Sequence, residues 1–242
     1  MKHSRDTVGP SRGRSVFPEL EPAPAGALAT CPAPDVRTMA RIEDLGQLQT
    51  TALSYLNLHE HGNLLVRYLM ARKRIFIDSL NWSLPSVDGM EFDQYDTPLC
   101  RWVVVHEFGE VLGGVRLVPT RAKCGIYTYM LRDAQLGLLE SIPSDVLFFE
   151  APVDPYMWEA SRLFISVDVP ARRRSHVQYM LMKGMTETAR NLNARHVIGI
   201  VPWVWSRWLR RLGLYAVPVG RKFEIDGTAS QAALFNVSDQ MK

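Results

Sequence analysis

The chain has 242 residues, 47% hydrophobic and 22% charged, enough to bury a globular core and unlike a disordered or fibrous chain. Its 28 basic residues against 25 acidic ones leave a formal net charge of +3, too small to imply nucleic acid but compatible with a local basic patch for an acidic partner. No apolar run approaches the ~20 residues that span a bilayer, no apolar stretch follows the basic N-terminus, and Cys31, Cys100 and Cys124 form no CxxC pair, which argues against a disulfide framework or a zinc site. A chain that remains in the reducing cytoplasm is expected.

Residues 1–40 hold Pro10, Pro18, Pro22, Pro24, Pro32 and Pro34 without a helical or strand period, so they are expected to form a mobile extension, with Met39 an alternative start. Residues 41–242 form the expected single domain. Leu45, Leu48, Leu53 and Leu56, then Leu64, Leu65, Tyr68, Leu69, Ile75, Phe76 and Leu80, recur at helical spacing and predict two helices split near Gly62. Segments 99–106 and 110–119, rich in Val and Leu around Phe108-Gly109, predict an antiparallel hairpin. A strand over 158–168 ends at Pro170, a helix covers 175–192, and 196–201 is an apolar strand suited to a sheet centre. A short helix over 203–212, stopped by Gly213, and closing strands over 223–225 and 232–237 complete the order. This is an α/β pattern: a three-layer mixed sheet with helices on both faces.

Charges inside these elements carry the chemistry. Arg72 and Phe76 lie four apart on one predicted helix and share a face, with Trp82 just past its end. Taken alone, the rings read as core and the arginine as solvated. Glu91, Asp93, Tyr95 and Asp96 form an acidic loop cluster, readable alone as a solvated turn or as a site for a cationic ligand group. Arg116 is a charge inside an apolar strand, and buried charges are costly unless paired, so these acids are its natural counterions. Glu159 and Arg162 are likewise charges within a strand. Side chains alternate along a strand, so the two can face one site only through a bulge or if Arg162 reaches around an edge. Such a bulge would also free backbone N–H groups.

Taken together, the spacing of Arg72, Phe76, Trp82, Asp93 and Asp96, the run Gly113-Gly114-Val115-Arg116-Leu117-Val118-Pro119-Thr120 and the segment Trp158-Glu159-Ala160-Ser161-Arg162-Leu163 resemble the acyl-homoserine-lactone synthase (autoinducer synthase) family over most of residues 65–215. The resemblance implies a fold similar to the GCN5-related N-acyltransferases. It also implies S-adenosylmethionine as amine donor, an acyl-carrier protein or acyl-CoA as acyl donor, and no metal or other cofactor. Arg72, Phe76, Trp82, Asp93, Asp96 and Arg116 match the positions around the amine donor, with the acids suited to its cationic groups and the arginines to its carboxylate. Glu159 is the candidate general base beside Arg162, with an ion pair between the two as the structural alternative.

Ser161, Gly199 and Val201 are expected at the acyl pocket. The strand Gly199-Ile200-Val201-Pro202 carries no hydroxyl where makers of 3-oxo products often have threonine, which favours an unsubstituted acyl group. Arg207 and Arg211 match basic positions for carrier docking, with Arg172, Arg173 and Arg174 a second basic cluster before the long helix. Two alternatives stand beside this reading: an N-acyltransferase that forms no lactone, and a non-catalytic relative that binds S-adenosylmethionine or a carrier.

Overall fold

The computed structural model describes residues 48–203, 209, 216–225 and 227–238. The expected extension over 1–40 lies outside them, as do Arg207, Arg211 and most of the helix expected over 203–212. Nine strands are described: β1 (Gln49–Leu53), β2 (Ser86–Val87), β3 (Met90–Glu91), β4 (Arg101–Glu107), β5 (Glu110–Pro119), β6 (Met157–Ile165), β7 (His196–Pro202), β8 (Ala216–Ile225) and β9 (Thr228–Asn236). Three α-helices are bounded among the described residues: α1 (Leu64–Arg72), which continues as a π-helical stretch over Lys73–Ser79, α2 (Met130–Gln135) and α3 (Ala171–Asn191).

Seven strands form one mixed sheet in the order β1-β4-β5-β6-β7-β9-β8, while β2 and β3 pair separately. All neighbours are antiparallel except β6 and β7, which α3 connects in parallel. Alternation divides the core cleanly. Val103, Val105, Val115 and Leu117 meet Val177, Leu181 and Met185 of α3 on one face. Trp102, Val104, Val118 and Phe164 meet Leu64, Tyr68 and Phe76 on the other, with Leu131 of α2. The β4–β5 turn has positive φ at both Phe108 and Gly109, matching the twist of a tight hairpin.

Three expectations need correction. Residues 49–53 are strand, not helix: β-branched Thr50 and Thr51 pair with Val105 and Val104 and extend the sheet, a non-local gain that outweighs the leucine spacing. Arg172, Arg173 and Arg174 do not precede the long helix but lie in the first turns of α3, which begins directly after Pro170. The basic cluster is also divided there: Arg173 pairs with Glu107 at 2.8 Å, whereas Arg174 bonds the carbonyls of Val169 and Val167. Finally, the closing strands are longer than expected and form the β8–β9 hairpin.

Candidate active site

The middle of the sheet opens between β6 and β7. Their ladder runs only from Met157 opposite His196 to Ala160 opposite Gly199, although both strands continue beyond it. A Cβ on Gly199 would lie 2.5 Å from the Ala160 carbonyl oxygen, so glycine is what permits this close approach just before the strands part. A cavity of about 310 Å³ fills the opening, bounded by Ser161, Arg162 and Leu163 on one side and Gly199, Ile200 and Val201 on the other. It traverses the sheet. Phe76, Trp82, Asp93 and Tyr95 line it on the α1 face, while Met182 and Met185 of α3 line it on the opposite face.

A bulge shapes one wall. Gly114 faces Phe164 and Arg116 faces Ser161, so two residues of β6, Arg162 and Leu163, oppose the single Val115. Arg162 takes φ +53°, a left-handed conformation that costs a non-glycine residue about 1–3 kcal/mol. The bulge keeps Arg162 on the α1 face together with Glu159 and Ser161.

Three arginines and three carboxylates interlock beneath this wall. Arg72 donates to Glu91 and, at 2.8 Å, to Asp96. Arg116 holds both oxygens of Asp93, one at 3.1 Å, approaches Asp96 at 2.9 Å and donates from Nε to Ser161 Oγ at 3.1 Å. Arg162 reaches Glu91 at 3.2 Å and Asp93 at 3.0 Å, with its guanidinium over the Phe76 ring. The Asp93-Gln94-Tyr95-Asp96 turn is locally encoded: Asp93 Oδ1 accepts the Tyr95 N–H, and Asp96 Oδ2 accepts the Asp93 N–H, each at 2.9 Å. Burial raises the proton affinity of Asp93 and Asp96, but the arginines outweigh it and hold both carboxyls below the usual carboxylate range.

The rings expected at the site meet: Phe76 and Trp82 lie 5.0 Å apart between centroids, and Phe76 is edge-on to Phe164 at 6.0 Å. The π-helical winding closes this corner, because the Trp82 N–H returns to the Phe76 carbonyl at 2.9 Å.

Glu159 lies apart from the arginine network. Its fully buried carboxylate accepts the Met130 N–H at 2.9 Å and the Leu131 N–H at 2.7 Å, capping the start of α2. Burial pushes Glu159 up to about 7 against the lowering effect of those two amides. Hence the alternative of an ion pair between Glu159 and Arg162 does not hold, since Arg162 spends its donors on Glu91 and Asp93.

Of the residues marked in the sequence, Phe76, Trp82, Asp93, Ser161, Arg162, Gly199 and Val201 face the cavity. Arg72, Asp96, Arg116 and Glu159 do not; they are packed behind its wall. The Arg72 and Arg116 guanidiniums, expected against a donor carboxylate, are fully buried and pair with carboxylates of the chain itself. Glu91 is the member that sequence reasoning left out of the site. Its only sequence signal was membership of the acidic cluster, and its partners lie 19 and 71 residues away. Among the described residues, no group of three or more His, Cys, Asp or Glu is placed to hold a metal ion, and no helix is long and apolar enough to cross a membrane.

Comparison with known proteins identifies the family. The autoinducer synthase family model matches residues 56–242. An isovaleryl-homoserine lactone synthase from Bradyrhizobium diazoefficiens is 26% identical over 190 residues, 78% of this chain and 80% of that protein. An acyl-homoserine-lactone synthase from Aeromonas salmonicida is 30% identical over 159 residues, 64% of this chain and 70% of that one. Among solved structures, TofI in a ternary complex with an inhibitor and MTA superposes with a TM-score of 0.63 at 27% identity, covering 81% of this chain and 94% of that one. The CoA-dependent acyl-homoserine lactone synthase BjaI, with SAM and isopentyl-CoA, shares the fold at a TM-score of 0.66 and 24% identity, over 80% of this chain and 85% of that one. The chain belongs to the autoinducer synthase family.

Proposed function

We propose that this chain is an acyl-homoserine-lactone synthase that acylates the amine of S-adenosylmethionine from an acyl thioester and closes the lactone, producing a quorum-sensing signal in the cytoplasm. One observation carries the assignment of roles. Of four acids in the site, Glu91, Asp93 and Asp96 are bound by arginines, whereas Glu159 meets no guanidinium and is tuned near neutrality. A general base works best with a proton affinity near the working pH, which suits Glu159 and excludes its arginine-bound neighbours.

In this mechanism the donor's ammonium loses a proton to Glu159 through one water, because Glu159 stands behind Met130 and Ser161 of the cavity wall. The freed amine attacks the thioester carbon, its C–N bond forms, the C–S bond breaks, and the second amine proton leaves with the thiol. Backbone N–H groups at the Arg162 bulge are suited to the oxyanion. The donor's carboxylate oxygen then attacks its own γ-carbon, closing the five-membered ring as the sulfonium C–S bond breaks and methylthioadenosine departs. No cofactor is called on. Trp82, Phe76 and Asp93 face the donor, while Arg72, Asp96 and Arg116 hold that wall in shape from behind. An unsubstituted acyl tail runs past Gly199 and Val201 towards Met182 and Met185, whose side chains adapt to an apolar chain. Arg207 and Arg211 remain the proposed docking positions for a carrier protein. The base assignment is tested by Glu159→Gln. Turnover should fall at least ~100-fold with S-adenosylmethionine affinity retained, and unchanged turnover would remove Glu159 from the role.

A further inference from the structure

A second buried carboxylate stands beside Glu159, outside the lining of the cavity. Asp133, in the first turn of α2, is fully buried and makes no ion pair among the described residues. Three neighbouring groups donate to it instead: the Thr128 N–H at 3.0 Å, the Thr128 hydroxyl at 2.6 Å and the Tyr95 hydroxyl at 2.9 Å. Each tether leads to a part of the site. Thr128 precedes Tyr129, the N-cap of α2, and the next two amides, Met130 and Leu131, are the ones that hold Glu159. Tyr95 lines the cavity, and its ring lies under the Arg116 guanidinium at 5.5 Å.

We infer that Asp133 is the positioning residue of Glu159: it fixes the turn whose amides hold the base and tunes the base by its own charge, with Thr128 and Tyr95 as tethers. This rests on the reading of Glu159 as general base.

A short helix offers little to orient a carboxylate unless its first turn is fixed, and Asp133 fixes it by reaching back to Thr128. A buried carboxylate in the same turn, met by hydrogen bonds but by no guanidinium among the described residues, also makes a neighbouring acid hold its proton more tightly. The groups that face Glu159 are few. Arg116 from β5 favours its ionised form, Asp133 from α2 opposes it, and the phenols of Tyr95 and Tyr129 lie close by. On the β7 side its register neighbour is apolar Ile198. Arg132, the remaining charge of α2, turns to the Ala151 carbonyl at 3.0 Å. Asp133 is thus the one negative charge that opposes ionisation of Glu159 from within its own capping turn.

The test is a carbon-13 titration of glutamate-labelled protein, with the Glu159 carboxyl signal identified by its loss in Glu159→Gln, alongside pH–rate profiles. In Asp133→Asn the Glu159 midpoint should fall by ~1 pH unit and the acid limb of turnover should move down with it. Thr128→Val keeps the Asp133 side chain and removes the hydroxyl that ties it to the turn, so the Met130 and Leu131 amides hold Glu159 less firmly and midpoint and limb should move up. The KM for S-adenosylmethionine should stay within twofold of wild type in both variants. Midpoints equal to wild type in both variants would overturn the inference and leave Asp133 as structural packing. Midpoints that shift while the acid limb stays fixed would instead overturn Glu159 as the base, and with it the link from Asp133 to turnover.

Discussion

Arg162, in a left-handed conformation at φ +53° within β6, reaches across to Glu91 of β3 at 3.2 Å. That pair ties the bulged strand to the small hairpin under the π-helical end of α1, and it places a guanidinium on the cavity wall. The backbone strain is local, so it separates from the charge. Arg162→Gly and Arg162→Ala both remove the ion pairs, but only glycine accepts the backbone without cost. The glycine variant should be more stable by ~1 kcal/mol in urea unfolding, with both variants strongly impaired in turnover. Equal stabilities would show that the bulge relaxes once the arginine is gone.

Arg116 holds Asp93, Asp96 and Ser161 while fully buried. Truncating it leaves three buried carboxylates, Glu91, Asp93 and Asp96, with only the Arg72 and Arg162 guanidiniums among them. Arg116→Met should therefore destabilise the fold by about 3–5 kcal/mol in chemical denaturation. A loss under ~1 kcal/mol would mean that water enters and screens the acids as an exposed pair is screened.

Gly199 stands at the last position at which β7 pairs with β6, where a Cβ would come within 2.5 Å of the Ala160 carbonyl oxygen. Gly199→Ala must push the strands apart or shift the ladder. We expect a loss of about 1–3 kcal/mol and a raised KM for the acyl thioester, with little change in S-adenosylmethionine binding. An unchanged acyl KM would place the acyl path elsewhere.

The two kinds of carboxylate give opposite pH dependences. Asp93 and Asp96, held low by arginines, contribute stability that is present above their ordinary range and lost as pH falls through their folded values. Glu159 is raised from 4.5 to about 7, so the folded state holds its proton longer than the unfolded chain and stability falls as pH rises across that window. The difference in unfolding free energy between wild type and Glu159→Gln should thus slope downward from pH 4.5 to 7 and flatten above it. A flat difference throughout would mean that Glu159 titrates as an ordinary exposed acid.

Much of this site is legible in the sequence because buried charge is conspicuous. Arg116 inside an apolar strand needs counterions, and the nearby Asp93 and Asp96 supply them. The alternation of a strand sets Glu159 and Arg162 on opposite faces, which demands the bulge found at Arg162 and Leu163. Other parts leave no such trace. Glu91 looks like any loop acid until tertiary contacts bring Arg72 and Arg162 to it. The six residues of α2 are too few to show a helical period, and the backbone amides that hold Glu159 have no side-chain signature. Leucine spacing over 45–56 imitates a helix, whereas the pairing of Thr50 and Thr51 with β4 decides for a strand.

The central claim is that acylation and lactone closure occur on one donor, and the product ratio tests it most directly. Purified chain incubated with S-adenosylmethionine and a panel of acyl-CoA and acyl-carrier thioesters should release methylthioadenosine and an N-acyl-homoserine lactone in equal amounts, read by mass spectrometry. An acylated amine formed without methylthioadenosine would contradict the account and assign the chain to N-acyltransferases that form no lactone.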